Sequence, residues 1–166
     1  MSKFIKVWQA LEDAGDAIVE FKQAEDVHVR RRRWVTAITL LSTINDILLN
    51  FEIERDEKIK IVETQWFSEL QSDYKNRQSD TNYKSIYFDF IRQERNLTVH
   101  QYLFMFVDQD LVVTNQDGLE EEISAFEWMP MVDGKYAGDD CRDLLHEAYE
   151  WWECQLKYME QEVSKL

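Results

Sequence analysis

WVTAITLLSTINDILLNF, residues 34–51, is the most apolar part of this 166-residue chain, and its spacing decides the fold class. Trp34, Val35, Ile38, Leu41, Ile44, Ile47, Leu48 and Phe51 recur at three- and four-residue intervals. That is the repeat of one helical face, not the strict alternation of a half-buried strand. The pattern predicts a helix over about residues 28–57 that serves as the central core element. On its N-terminal side, Phe4, Val7, Trp8, Leu11, Ile18 and Val19 predict an amphipathic helix over about 3–26. Gly15 inside it costs about 1 kcal/mol against Ala, and is read as the mark of a close helix contact. On the C-terminal side, Ile59, Val62, Trp66, Phe67 and Leu70 predict a shorter helix. The polar stretch QSDYKNRQSDTN (71–82) reads as a loop, and helical spacing resumes over 83–102 through Tyr83, Ile86, Tyr87, Phe90, Ile91 and Leu97.

The character then changes. LFMFVDQDLVVT, NQDG and LEEEISAFEWMP follow one another from 103 to 130, a β-enriched run, a turn ending in Gly118 and a second partly apolar run. They predict a small hairpin or irregular excursion. Pro130, Gly134 and Gly138 punctuate a loop, and Asp139 or Asp140 can cap a last helix reaching about residue 163. Leu144, Leu145, Ala148, Trp152, Leu156, Met159 and Val163 line one side of it. Trp151 and Trp152 cannot both face one core, so one of them is expected against the insertion or another chain. The expected architecture is an all-α, antiparallel bundle of four to five helices. It forms a single domain over 1–166, with an insertion over about 104–137 before the last helix.

Composition narrows the classes. With 45% apolar residues, four Gly and one Pro, the chain can bury a core and is neither collagen-like nor a low-complexity linker. No apolar run approaches the ~20 residues that cross a bilayer, and the N-terminal stretch turns polar too early for a secretory signal. A cytoplasmic protein with no membrane partner is expected. Cys141 and Cys154 lack metal-ligand spacing and read as free thiols, and no cofactor is called for. The net charge of −14 is uneven: residues 1–100 balance at −2 and residues 101–166 at −12. Such a chain binds nucleic acid poorly without a local basic site, because phosphate binding draws its affinity from Lys and Arg displacing counterions.

FDFIRQERNLTVHQY, residues 88–102, is where chemistry concentrates. Arg95, Asn96 and His100 gather a permanently charged phosphate fork, an amide and a group titrating near neutrality within six residues. These are the components of metal-free phosphodiester cleavage. His100 can take the proton of an RNA 2′-hydroxyl or supply one to the leaving oxygen, while Arg95 stabilises the phosphorane and Asn96 positions one of them. On one straight α-helix, residues five apart lie about 140° apart around the axis. Both side chains then aim at one phosphate only if the helix breaks, or if two copies combine their pairs across a two-fold axis. The competing reading has both side chains bonding acidic neighbours or backbone at a helix end.

Arg95-Asn96-Leu97-Thr98-Val99-His100 resembles the hallmark of the HEPN superfamily, an Arg followed at a short interval by His, with Asn directly after the Arg. Phe90-Ile91-Arg92 and Glu94 resemble the helix leading into that motif. The resemblance implies a helical bundle, and a metal-independent endoribonuclease of toxin–antitoxin or defence type whose single cleft is built at a homodimer interface. Many similar proteins are instead non-catalytic interaction or scaffold modules, to which the acidic last third also points. Tyr102 sits where HEPN toxins paired with a nucleotidyltransferase-type antitoxin carry their modification target, so such an antitoxin, or another protein one, is an implied partner. The run Leu103-Phe104-Met105-Phe106 favours burying Tyr102 as core.

Two further groups complete the candidates. Arg30, Arg31, Arg32 and Arg33 are the densest positive cluster and could touch an RNA backbone beside the cleft. At ~100° per residue they ring the helix, so a solvated set pairing with Glu25, Asp26 and other carboxylates is the stronger reading. Asp143, Glu147 and Glu150 have the spacing seen in helical metal-dependent nucleotide pyrophosphohydrolases. No matching second set exists, although Glu52, Glu54, Asp56 and Glu57 are dense, so a metal site is not expected. His146, with carboxylates but no second His nearby, reads as a surface or satisfied histidine.

Overall fold

The computed structural model describes residues 4–52 and 56–166, with the side chains of residues 51 and 52 outside that set. The fold is mostly helical with one small sheet. Helix α1 (Ile5–Gln23) and helix α2 (Val27–Ile47) are joined by residues 24–26, and Asp26 caps α2 by accepting from the backbone N–H of His28 and Val29, both at 2.9 Å. So short a link folds α2 back along α1, and their facing sides bury Val7, Leu11, Phe21, Trp34, Ile38 and Leu41. The expected single helix to residue 57 does not form. The α winding ends at Ile47, passes into a π-helix over Leu48–Glu52, and Asp56 opens a new helix by capping Lys58 N at 2.9 Å.

Helix α3 (Glu57–Arg77) overruns the expected loop at 71–82 by two turns. An i,i+4 pair, Arg77 with Asp73 at 3.4 Å, and stacking of Tyr74 on Phe88 at 4.4 Å hold its end. Polar composition alone misread that segment, because its tertiary partners lie at 83–89. Helical winding resumes at Ile86, leaving Tyr83 outside it. Helix α5 (Cys141–Lys165) starts at the Asp140 cap and buries all seven of its expected core residues. It packs on α1 at Gly15, where an added Cβ would meet the Tyr149 ring at 3.0 Å. Trp8 and Trp66 each donate to it, to Glu160 at 3.1 Å and Gln155 at 2.8 Å. Trp151 corrects the expectation for the tryptophan pair. Trp152 is buried, and Trp151 stacks on Tyr87 at 5.4 Å beside the same core, away from the insertion. Val19, expected on the core face, is exposed.

The insertion is a closed loop. Val107 N bonds Pro130 O and Val132 N bonds Met105 O, tying its two ends together. Its tip is an antiparallel hairpin of strands β1 (Leu111–Thr114) and β2 (Glu120–Ile123), in register from Leu111 opposite Ile123 to Thr114 opposite Glu120. The Asn115 side chain caps the turn by accepting from Asp117 N and Leu119 N, and Gly118 supplies the positive φ of 78°. Phe106 carries the insertion into the core, 4.6 Å from Trp34. Among the described residues, no helix is long and apolar enough to cross a membrane.

Candidate active site

Residues 86–101 form one continuous helical segment with three windings: a π-helix over Ile86–Ile91, a single α turn α4 (Arg92–Arg95), and a second π-helix over Asn96–Gln101. A π winding pairs residue i with i+5, so residues five apart stand one above the other. Arg95 Nη1 accordingly lies 3.0 Å from His100 Nε2. Neither route expected from α geometry is needed, since the helix does not break and one chain brings both groups together. A guanidinium can only donate, so as a hydrogen bond this contact has Nε2 as the acceptor.

Local preference and a core anchor together explain the winding. Asn96, Thr98 and Val99 are weak α formers. Thr98 alone in this π-helix is buried: its Oγ1 accepts the indole N–H of Trp34 at 3.2 Å and donates to Leu103 O at 3.4 Å. Tyr102 ends the segment in the left-handed region at φ 53°, with Leu103 N bonded to Leu97 O at 3.1 Å. The middle of the motif is pinned inward, leaving half-buried Arg95 and exposed Asn96 and His100 on the outer side. Arg95 Nη1 also donates to Asn96 Oδ1 at 3.4 Å.

Among the described residues, some arginines pair with carboxylates, while Arg30 and Arg32 donate to backbone carbonyls instead. Arg31, Arg33, Arg77 and Arg142 each hold a carboxylate, on Asp108, Glu20, Asp73 and Asp140. Among the described residues, Arg92 and Arg95 hold none; the Arg92 guanidinium lies 5.8 Å from the centre of the Phe88 ring. Three positions apart on one turn, they are neighbours, so two positive charges stand side by side there. Glu94 does not cancel them. It turns inward to 3% exposure with Oε2 unpartnered, and burial pushes its carboxyl up to about 7.

The other candidates fall elsewhere. Tyr102 is 68% exposed, with its ring edge-on to Phe104 at 5.1 Å, which corrects the expectation that it is core. Arg30 is not a surface residue at all. Buried, it donates to the carbonyls of Ala24, Glu25 and Asp108 and clamps the start of α2 to the insertion. Arg31 pairs with Asp108 at 3.1 Å, Arg32 donates to His28 O at 3.3 Å, and Arg33 reaches Glu20 at 2.5 Å. The tetrad rings its helix and holds neighbouring elements. His146 pairs with Glu150 at 3.3 Å on the surface of α5. Among the described residues, no group of His, Cys, Asp and Glu is arranged to hold a metal ion; Glu54 and the side chain of Glu52 lie outside that set. Cys141 is buried, which pushes its thiol up, while Cys154 is exposed, and neither forms a disulfide.

Trp34 and Thr98 shape the site without having been singled out by the motif pattern, and Arg92 and Glu94 entered it only as residues of the helix leading in. Arg92, one helical turn before Arg95, was the signal available in the sequence. Compared with family models, with curated proteins and with solved structures, the chain matches none of them.

Proposed function

We propose that this protein is a HEPN-like, metal-independent endoribonuclease. The observation that carries the reading is the 3.0 Å contact of Arg95 Nη1 with His100 Nε2 on an exposed helical segment. Arg92 and Arg95 hold the scissile phosphate. Moving onto that phosphate, the Arg95 guanidinium leaves Nε2, whose freed lone pair takes the proton of the 2′-hydroxyl. The 2′-oxygen then attacks phosphorus and the P–O5′ bond breaks, leaving a 2′,3′-cyclic phosphate. The departing 5′-oxygen takes its proton from the imidazolium of a second copy of the chain. Asn96 keeps the guanidinium in plane through its Oδ1 contact.

The two-copy site rests on the motif's resemblance and on the exposed apolar side chains of Val99, Tyr102 and Leu103 beside it. The resemblance also supports a toxin–antitoxin or defence role in the cytoplasm, with exposed Tyr102 as the target of a nucleotidyltransferase-type antitoxin.

The test is RNA incubated with the purified chain in EDTA. Cleavage should survive chelation and vanish in His100→Ala. A second reading, a non-catalytic module for a basic partner, is favoured by the exposed Glu120, Glu121 and Glu122 of β2 and the acidic last third. RNA left intact at high protein concentration would select it.

A further inference from the structure

The insertion is strongly one-sided in charge, with eight Asp and Glu and no Lys or Arg over residues 101–134. Among the described residues, no helix packs broadly on either strand of its hairpin, and the two edges of that hairpin are unlike. Asn115 N bonds Leu119 O at the turn, and these residues continue the register in which Leu111 faces Ile123. Antiparallel ladders alternate bonded and non-bonded pairs, so Val113–Glu121 and Leu111–Ile123 are the bonded ones. The N–H and C=O of Val112 and Thr114 therefore point away from β2, and among the described residues they bond nothing. The same alternation turns those of Glu120 and Glu122 outward on β2. Charged side chains guard a sheet edge against further pairing. The β2 edge runs Glu120-Glu121-Glu122 and is guarded in this way. The β1 edge, Leu111-Val112-Val113-Thr114, carries no charge, and Val112 is 65% exposed.

An open strand edge beside a row of carboxylates fits an extended segment that brings its own positive charge. We infer that the β1 edge takes a third strand from a basic protein partner, whose backbone pairs with Val112 and Thr114 and whose Lys or Arg side chains reach Glu120 and Glu122. The register sets the partner's pattern. Val112 stands beside Glu122 and Thr114 beside Glu120, all on one face. A third strand lies two strand spacings from β2, about 10 Å. Long Lys or Arg side chains meeting Glu span that distance over the short Val112 and Thr114. On the opposite face, the partner's alternate residues lie beside half-buried Leu111 and Val113 and are apolar. A second copy of β1 is the poorer occupant, since it arrives with the same eight carboxylates. The assignment holds whether or not the chain cleaves RNA.

The experiment uses the full chain at low salt and short labelled peptides, read by fluorescence anisotropy. The first peptide alternates Lys and Val. The second has the same composition with Lys and Val in separate blocks. The third is the alternating peptide with its backbone nitrogens methylated, which keeps every side chain and charge but cannot donate to a ladder. The alternating peptide should bind about tenfold tighter than either of the others, the scale of one or two backbone hydrogen bonds. It should also slow hydrogen exchange at the Val112 and Thr114 amides. Val112→Pro removes an outward donor and no ladder bond, at an edge where Pro is tolerated, and should erase the preference. Glu120→Gln with Glu122→Gln should weaken the alternating peptide, whereas Glu12→Gln with Asp16→Asn, which removes as much charge from α1, should not. Equal binding of the three peptides would mean attraction by charge alone and overturns the inference, as does an equal loss from the α1 pair. Unchanged exchange at Val112 and Thr114 overturns it too, and that reading is taken on the wild type, so the test stands even if Val112→Pro unfolds the hairpin. A wild-type dimer that Val112→Pro makes monomeric would put a second copy on the edge and likewise overturn it.

Discussion

Trp34 donates its indole N–H to Thr98 Oγ1 at 3.2 Å, joining the middle of α2 to the buried residue of the motif π-helix. The bond makes the central core helix the reference against which Arg95 and His100 are aimed. Thr98→Val keeps the shape but leaves the indole N–H without its acceptor inside the core. Loss of about 1–3 kcal/mol of stability is expected, read by denaturant unfolding. Cleavage should fall by up to ~100-fold, the cost of a misplacement of about 1 Å, and Thr98→Ser should recover most of both. A Thr98→Val variant with wild-type stability and rate would show that the anchor does not position the motif.

Arg95→Lys tests the fork itself. Lysine keeps the charge but replaces two parallel N–H donors with a point charge. It also cannot keep the planar contact that Arg95 Nη1 makes to Asn96 and His100 together. We expect kcat to drop by at least ~10-fold, the scale of one lost charge-assisted hydrogen bond of about 1.5–3 kcal/mol, with the melting temperature unchanged because the side chain is only half buried. Full activity in Arg95→Lys would remove the phosphate-holding role.

The helix pattern was legible wherever one face is buried. The apolar spacing of α5 located its core residues except Cys141, and Gly15 correctly marked the contact that Tyr149 makes. The turn at Asn115 to Gly118 was equally plain. What was not legible depended on partners distant in sequence. The end of α3 is held by residues 83–89, and Arg30 is drawn inward by the carbonyl of Asp108. The motif's geometry was hidden for a different reason. A count of ~100° per residue assumes an α winding, and Asn96–Gln101 winds wider because Thr98 is fastened to Trp34. Residue types told which groups could act, but only that tertiary anchor brings them to 3.0 Å.

Assembly should depend on the outer edge of the same segment. Val99, Tyr102 and Leu103 are 46%, 68% and 47% exposed around the end of the π-helix, and a composite cleft would cover them. Light scattering should give a dimer mass for the wild type and a monomer for Val99→Asp, with cleavage lost alongside. A monomeric wild type that still cleaves would place the whole reaction on one chain and remove the second imidazolium from the mechanism.

Glu94 should make stability depend on pH near neutrality. Its carboxyl is buried with Oε2 unpartnered, and desolvation raises it from 4.5 to about 7. Below 4.5 it is protonated in both folded and unfolded chains and contributes nothing to the slope. Between 4.5 and about 7 the unfolded chain has released the proton while the folded one keeps it. The folded state then binds more protons, so stability falls as pH rises, by about 3 kcal/mol across the window. Above it the penalty is constant. Glu63, buried and shifted the same way, adds to the wild-type slope, so the informative quantity is the difference between wild type and Glu94→Gln. That difference should widen in favour of the variant from pH 4.5 to 7 and then level off, measured by denaturant unfolding at each pH. A difference that does not change with pH would mean that Glu94 ionises in the folded chain, beside Arg92 and Arg95, as readily as in the unfolded one.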